Sequence, residues 1–178
     1  KSLVWSCNEW DPLEEVVVGI VDDATVPEWG AAVQAITPDH AAWFFKKYEG
    51  KPFPQEMVQK AAEELNNLAN ILTGLGIKVR RPDKMRFSEK FKTPWWESRG
   101  LNAAMPRDVY MVIGDALVEA PMAWRSRYFE SFAYHPLATE YFKEGARWLA
   151  APKSTMGEGF YNKDYNPDVP EKDGKKQF

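Results

Sequence analysis

A chain of 178 residues, 44% hydrophobic and 28% charged, has the mixture of an ordinary globular domain able to bury a core. Its net charge of -3 lacks the basic footprint of a nucleic-acid binder, so no nucleic-acid partner is expected. A single cysteine, Cys7, excludes an intrachain disulfide and suits a reducing compartment, and nowhere do the roughly 18 apolar residues of a membrane span run together. His40 and His135 stand far apart, without Cys or paired carboxylates at ligand spacing, so neither a metal nor a cofactor is expected. A cytoplasmic location is expected, or a mitochondrial one where a leader has been removed.

In chain order, the turn Trp10-Asp11-Pro12 leads into residues 14–20, whose run Val16-Val17-Val18 predicts a short buried strand. Periodicity is lost over residues 21–51, where Pro27, Gly30, Pro38 and Gly50 predict a long irregular connection. Pro54 then opens the clearest helix. Val58, Ala61, Ala62, Leu65, Leu68, Ala69, Leu72 and Leu75 recur at three- and four-residue intervals and predict one stripe facing a core. Gly74 and Gly76 end it, and Ile77-Lys78-Val79-Arg80-Arg81 reads as a strand closed by Pro82. A loop rich in Lys, Pro and Trp follows to about Met105. Two apolar segments, 109–114 and 116–120, flank Gly114-Asp115 and predict a tight hairpin. Helical material over 126–144, with Phe129, Phe132, Leu137, Tyr141 and Phe142 as expected buried positions, should kink or restart at Pro136. Gly145 ends it, and residues 148–151 form another strand closed by Pro152.

Helix, Gly, basic residue, apolar strand and Pro thus occur twice, from Gly76 to Pro82 and from Gly145 to Pro152, which predicts an internal repeat of about 70 residues. The expected layout is α/β, with modules over residues 1–153 and a polar, mobile tail over 154–178. Eight Trp, ten Phe and seven Tyr are a rich aromatic supply. Trp29, Trp43 with Phe44 and Phe45, and Trp95 with Trp96 read as loop residues anchored on the core ahead of a ligand-binding box.

No segment supplies a nucleophile beside a base, so no catalytic residue is expected in this chain. Cys7 reads as a small, partly buried thiol. Two polar clusters remain. Met105-Pro106-Arg107-Asp108 puts an acid at the mouth of a strand, where it could point into a cleft and grip a cation; on spacing alone an Arg107–Asp108 surface pair is favoured. Trp124-Arg125-Ser126-Arg127 with Glu130 reads equally well as caps or ion pairs.

The string Asn8-Glu9-Trp10-Asp11-Pro12-Leu13-Glu14-Glu15-Val16-Val17-Val18-Gly19 resembles the opening of glycine amidinotransferases and their bacterial biosynthetic relatives. So do Val79-Arg80-Arg81-Pro82, Lys92-Thr93-Pro94, residues 104–108 and Glu119-Ala120-Pro121-Met122-Ala123-Trp124-Arg125-Ser126-Arg127. Ala151-Pro152-Lys153, Tyr161-Asn162 and Asp164-Tyr165 match in order as well. The resemblance covers nearly the whole chain. It implies roughly two ββαβ-type modules of a five-module α/β propeller, the fold of guanidine-modifying enzymes. The implied reaction moves an amidino group from L-arginine to an acceptor amine, glycine or a biosynthetic amine, through a cysteine-bound amidino intermediate. The family's catalytic Asp, His and Cys belong to later modules, so the resemblance implies an N-terminal part that is inactive alone, whose partners are the missing C-terminal modules or another chain, with a homodimer by analogy. Within the chain it assigns one substrate contact, Asp108 on the arginine guanidinium, and none to Arg107. A truncated, non-catalytic ligand-binding or interaction module is the alternative. A guanidine-hydrolysing deiminase is disfavoured by the Glu-Trp-Asp-Pro-Leu and Ala-Pro-Met-Ala-Trp strings.

Overall fold

A computed structural model describes residues 4–161. The β-branched run forms strand β1 (Glu15–Val17), paired in parallel with β2 (Lys78–Arg80). Parallel partners need a long crossover, here containing the helices α1 (Ala31–Gln34), α2 (Asp39–Tyr48) and α3 (Gln55–Gly74). The expected irregular connection is therefore partly helical, and it is tied down. Val21, Ala24, Thr25, Val26 and Pro27 are buried, and Val26 donates to Lys51 O at 2.9 Å while Phe53 donates to Ala24 O at 3.0 Å. Trp43, Phe44 and Phe45 sit on α2 rather than in a loop, and Trp43 is exposed.

The loop expected before Met105 contains the antiparallel pair β3 (Lys90–Lys92) and β4 (Glu97–Arg99). Its Trp96 is buried and donates from Nε1 to Thr155 O at 2.6 Å, an anchor of the kind expected, whereas Trp95 is exposed. A short helix α4 (Pro106–Val109) leads into β5 (Tyr110–Ile113), which turns through Gly114-Asp115 into β6 (Ala116–Glu119). Two 3-10 turns, Arg125–Arg127 and Glu130–Ala133, precede α5 (His135–Lys143), with Pro136 in its first turn. The helix restarts at Pro136, where the missing N–H costs nothing. Phe132 and Phe142, expected inside, are exposed. Strand β7 (Arg147–Ala150) then lies parallel to β6, giving the order β5-β6-β7.

The repeat is real at the level of the backbone. Gly76 follows α3 with φ of 82° and Gly145 follows α5 with φ of 98°, a left-handed stop that glycine takes without penalty. Each helix then turns into a strand parallel to the earlier one of its module. The second module is ββαβ in order. The first shows only the βαβ part, with the β3–β4 pair outside its sheet.

The modules share a core. Leu117 on one side and Leu137, Ala138, Tyr141 and Ala146 on the other are buried together, and Val17 of β1 packs against them. A second cluster gathers Phe87, Ala103, Val109, Ala133 and Tyr134 beneath α4. Of the segment expected to be a polar tail, residues 154–161 are described: Met156 is fully buried and its carbonyl accepts Nε and Nη2 of Arg125 at 2.9 and 2.7 Å. Residues 162–178, with Asn162, Asp164 and Tyr165, lie outside the described residues. Among the described residues no helix is long and apolar enough to cross a membrane.

Candidate functional site

Asp108 owes its position to a tight crossing of the chain. Ile20 donates to Ala103 O at 2.8 Å, and a side chain at Gly19 would stand 2.2 Å from Ala104 O. Only glycine lets β1 pass so close to the strand of chain that delivers α4. Pro106 at the start of α4 then fixes the first turn, and Val109, fully buried, pins its end. Asp108, between them, turns outward with its side chain 48% exposed.

Its partner is not its neighbour. Arg107 points away and pairs with Glu9 on the surface. Arg127 instead reaches Asp108, Nη1 to Oδ2 at 2.7 Å, from the turn Arg125–Arg127. The same guanidinium grips Glu130 with two bonds, Nε to Oε2 at 2.5 Å and Nη2 to Oε1 at 2.9 Å, and Glu130 is almost wholly buried. Asp108, Arg127 and Glu130 therefore form an acid–base–acid row running from solvent into the core. Burial holds the Glu130 carboxyl above its ordinary value, and the Arg127 fork offsets only part of this. Burial also opposes the Arg127 charge, but hydrogen bonds and charge from Glu130 and Asp108 outweigh it and raise its pKa. Removing Arg127 would strand the buried Glu130 carboxylate, so the inner pair of the row is fixed, whereas Asp108 at the solvent end is not needed to satisfy it. Both clusters read from the sequence thus meet in one place. The sequence did not show that they would.

A carboxylate offers about four acceptor positions, and Arg127 uses one of those on Asp108. With the side chain about half exposed, the remainder are accessible and suit a cationic group with several planar donors. The cavity on the inner side, lined by Phe87, Phe91, Ser126, Phe129 and Glu130, holds only about 30 Å³.

Glu119, at the end of β6, is a hub that the sequence reading passed over. It is buried, and its Oε2 meets Tyr110 OH at 3.1 Å, His135 Nε2 at 3.2 Å and Trp148 Nε1 at 3.3 Å, with Lys153 Nζ 3.9 Å from Oε1. Burial raises this carboxyl, but the hydroxyls of Ser131 and Tyr110 and the charges of His135 and Lys153 bring it below the usual range. The signal available was an acid closing the apolar run Ala116-Leu117-Val118, on the face that Leu117 turns to the core. Cys7, expected partly buried, is exposed, because the leader lies on the surface, where Ser6 pairs with Gly114. His40 is exposed on α2. Among the described residues no group of three or more His, Cys, Asp or Glu is placed to hold a metal ion.

Comparison with known proteins gives a consistent answer. The chain is 49% identical over 162 residues to the mitochondrial glycine amidinotransferase of Xenopus tropicalis, which covers 91% of this chain and 38% of that protein. It is 48% identical over 160 residues to the L-arginine:L-lysine amidinotransferase of Pseudomonas savastanoi pv. phaseolicola, 90% of this chain and 44% of that protein. Among solved structures, an amidinotransferase of Microseira wollei from its saxitoxin biosynthetic pathway superposes with a TM-score of 0.85 at 43% identity, over 94% of this chain and 49% of that one. No family model matches. The resemblance to glycine amidinotransferases and their α/β fold therefore holds along nearly all of the chain, which spans less than half the length of these relatives.

Proposed function

We propose that this chain supplies the part of an amidinotransferase that holds the guanidinium of L-arginine, with Asp108 as the contact. The reaction removes the amidino group of arginine, leaves ornithine, and joins the group to the nitrogen of an acceptor amine, glycine or a biosynthetic amine. A cysteine that carries the amidino group between the two steps, with the Asp and His that move its protons, would come from modules beyond this sequence, or from another chain. By itself the 178-residue chain is then inactive, since Cys7 is exposed and no base hydrogen-bonds to it among the described residues.

The observation that carries this reading is the half-exposed Asp108 carboxylate, braced by an Arg127 that is anchored in turn on buried Glu130. The brace fixes the acid before a ligand arrives, so little ordering is spent on binding. Its open acceptor positions can take two parallel N–H bonds from a planar guanidinium, which orients the carbon to be attacked. The test is Asp108→Asn in the complete enzyme. Loss of about 3–5 kcal/mol of charge pairing would lower arginine-dependent turnover by roughly two to four orders of magnitude, with the melting temperature unchanged. Glu63→Ala, on exposed α3 surface, is the control and should leave turnover intact. Near-normal turnover in Asp108→Asn would leave Asp108 as a plain partner of Arg127.

A further inference from the structure

The residue that braces Asp108 stands on a short, irregular piece of chain. Arg127 ends a 3-10 turn, Arg125–Arg127, of only three residues, and no side chain caps the start of that turn. So short a turn has few internal hydrogen bonds to hold it, and its position must be set from outside. Hydrogen bonds that do so join it to one segment, residues 153–161, beyond β7. Lys153 Nζ donates to Tyr128 O at 3.0 Å, Arg125 donates from Nε and Nη2 to Met156 O at 2.9 and 2.7 Å, and Tyr161 OH donates to Ala123 O at 3.2 Å. The segment thus grips the chain on both sides of Arg127. The Arg125 guanidinium also lies 5.6 Å from the Trp96 ring centre and 5.4 Å from that of Tyr161, and Trp96 Nε1 donates to Thr155 O at 2.6 Å. Met156 is fully buried with φ of 51°, a left-handed conformation that a residue with a β-carbon seldom adopts and that persists where its surroundings over-determine it.

We propose that residues 153–161 form a positioning strap, with Arg125 as its positioning residue: by fixing the turn, Arg125 holds Arg127 Nη1 against Asp108 and so governs how well the complete enzyme takes its guanidinium substrate. This rests on Asp108 as the guanidinium contact. The three nitrogens of Arg127 itself are divided unequally, two bonded to buried Glu130 and one to Asp108. A shift of the turn keeps the inner pair, which burial demands, and is taken up at the single outer bond. An Asp108 without that bond is free to rotate, whereas two parallel bonds to a planar guanidinium need both of its oxygens in place. Arg125 suits the role because its fork meets one carbonyl with two donors while its flat group lies near two rings, a combination that lysine reproduces only in part.

Double-mutant kinetics in the complete enzyme test this. Arg125→Met should lower kcat/KM for arginine about a hundredfold, and Arg125→Lys, which keeps the charge and one donor, about tenfold. In the Asp108→Asn background neither should lower it further, because the oriented carboxylate through which Arg125 acts is gone. A role confined to folding would lower kcat/KM by the same factor in both backgrounds, and that result overturns the proposal. So does an unchanged kcat/KM for arginine in folded Arg125→Met. Where Arg125→Met does not fold, Arg125→Lys and Tyr161→Phe, which loses only the hydroxyl bond to Ala123 O, carry the same comparison. Near-normal turnover in Asp108→Asn alone would remove the guanidinium contact and the strap's role with it. A large loss there, with additive losses at Arg125, would leave that contact standing and remove the strap alone.

Discussion

Helices α3 and α5 occupy the same place in their modules and end in the same left-handed glycine, yet they meet opposite fates. The longer one, with the cleaner apolar stripe, has no buried residue, whereas the shorter one, started by a proline, buries Leu137, Ala138 and Tyr141. At the matched positions Leu137 is 9% exposed and Leu68 is 46% exposed. A stripe states that a helix has an apolar side. Whether that side is buried depends on the sheets that stand next to it: among the described residues α3 packs on one, and α5 lies between two.

The sharpest test of the comparison is truncation at the matched leucines. Leu137→Ala should cost about 2–5 kcal/mol, since it opens a cavity between two sheets, while Leu68→Ala should cost about 0.5 kcal/mol or less. Urea unfolding at a concentration where the chain is monomeric gives both values. Equal losses would mean that the helices are covered alike.

A smaller effect separates them by pH. The junction over α5 holds two carboxyls below the usual glutamate value of 4.5. For Glu15 burial acts upward, but Lys78, Tyr141 and Arg80 prevail; for Glu140 the cause is the Arg80 hydrogen bonds. Carboxyls lowered in the folded state give stability that is present above about pH 4.5 and is lost as pH falls through their folded values. Melting temperature should therefore drop on acidification below about pH 4.5, and Arg80→Met should flatten that limb. Ile71→Ala on α3, where no acid takes part, should leave it unchanged. An acid limb identical in Arg80→Met and the parent would place the titrating groups elsewhere.

The smallest effect concerns the helix that stands nearly alone. Gly74, in the last turn of α3, has open space where a β-carbon would stand, with no atom within 4 Å, and its φ is not positive. Gly74→Ala should stabilise by about 0.5–1 kcal/mol through the unfolded chain, raising the urea midpoint. A loss instead would show that the end of α3 is more confined than its exposed surroundings imply.

What the sequence disclosed follows the range of the forces involved. The Gly114-Asp115 hairpin, the helix after Pro54 and the restart at Pro136 rest on contacts within a few residues, and each could be read directly. Strands β3 and β4 were missed because Lys90-Phe91-Lys92 and Glu97-Ser98-Arg99 carry a single apolar residue, Phe91, whose packing on Phe129 comes from far along the chain. Helix α2 was missed because Trp43, Phe44 and Phe45 run consecutively and show no helical period. At the candidate site, both polar strings were visible, but the bond from Arg127 to Asp108 spans separate turns and had no local sign. The resemblance to amidinotransferases singled out Asp108; spacing alone favoured a surface pair of Arg107 with Asp108, whereas Arg107 pairs with Glu9 and Asp108 with Arg127.

The parallel pairing of β1 with β2 sets an order in time. Glu15 has its partner in Lys78, and Ser6 has its partner in Gly114, so both segments are synthesised well before the partners that satisfy them. At roughly 5–20 residues per second, the run Val16-Val17-Val18 waits several seconds for β2 to be made. Closing so long a loop also costs entropy before any contact repays it. Through that interval an unpaired valine strand is free to meet another nascent chain. The acids that precede it, Glu14 and Glu15, are then its nearest guard against aggregation during synthesis.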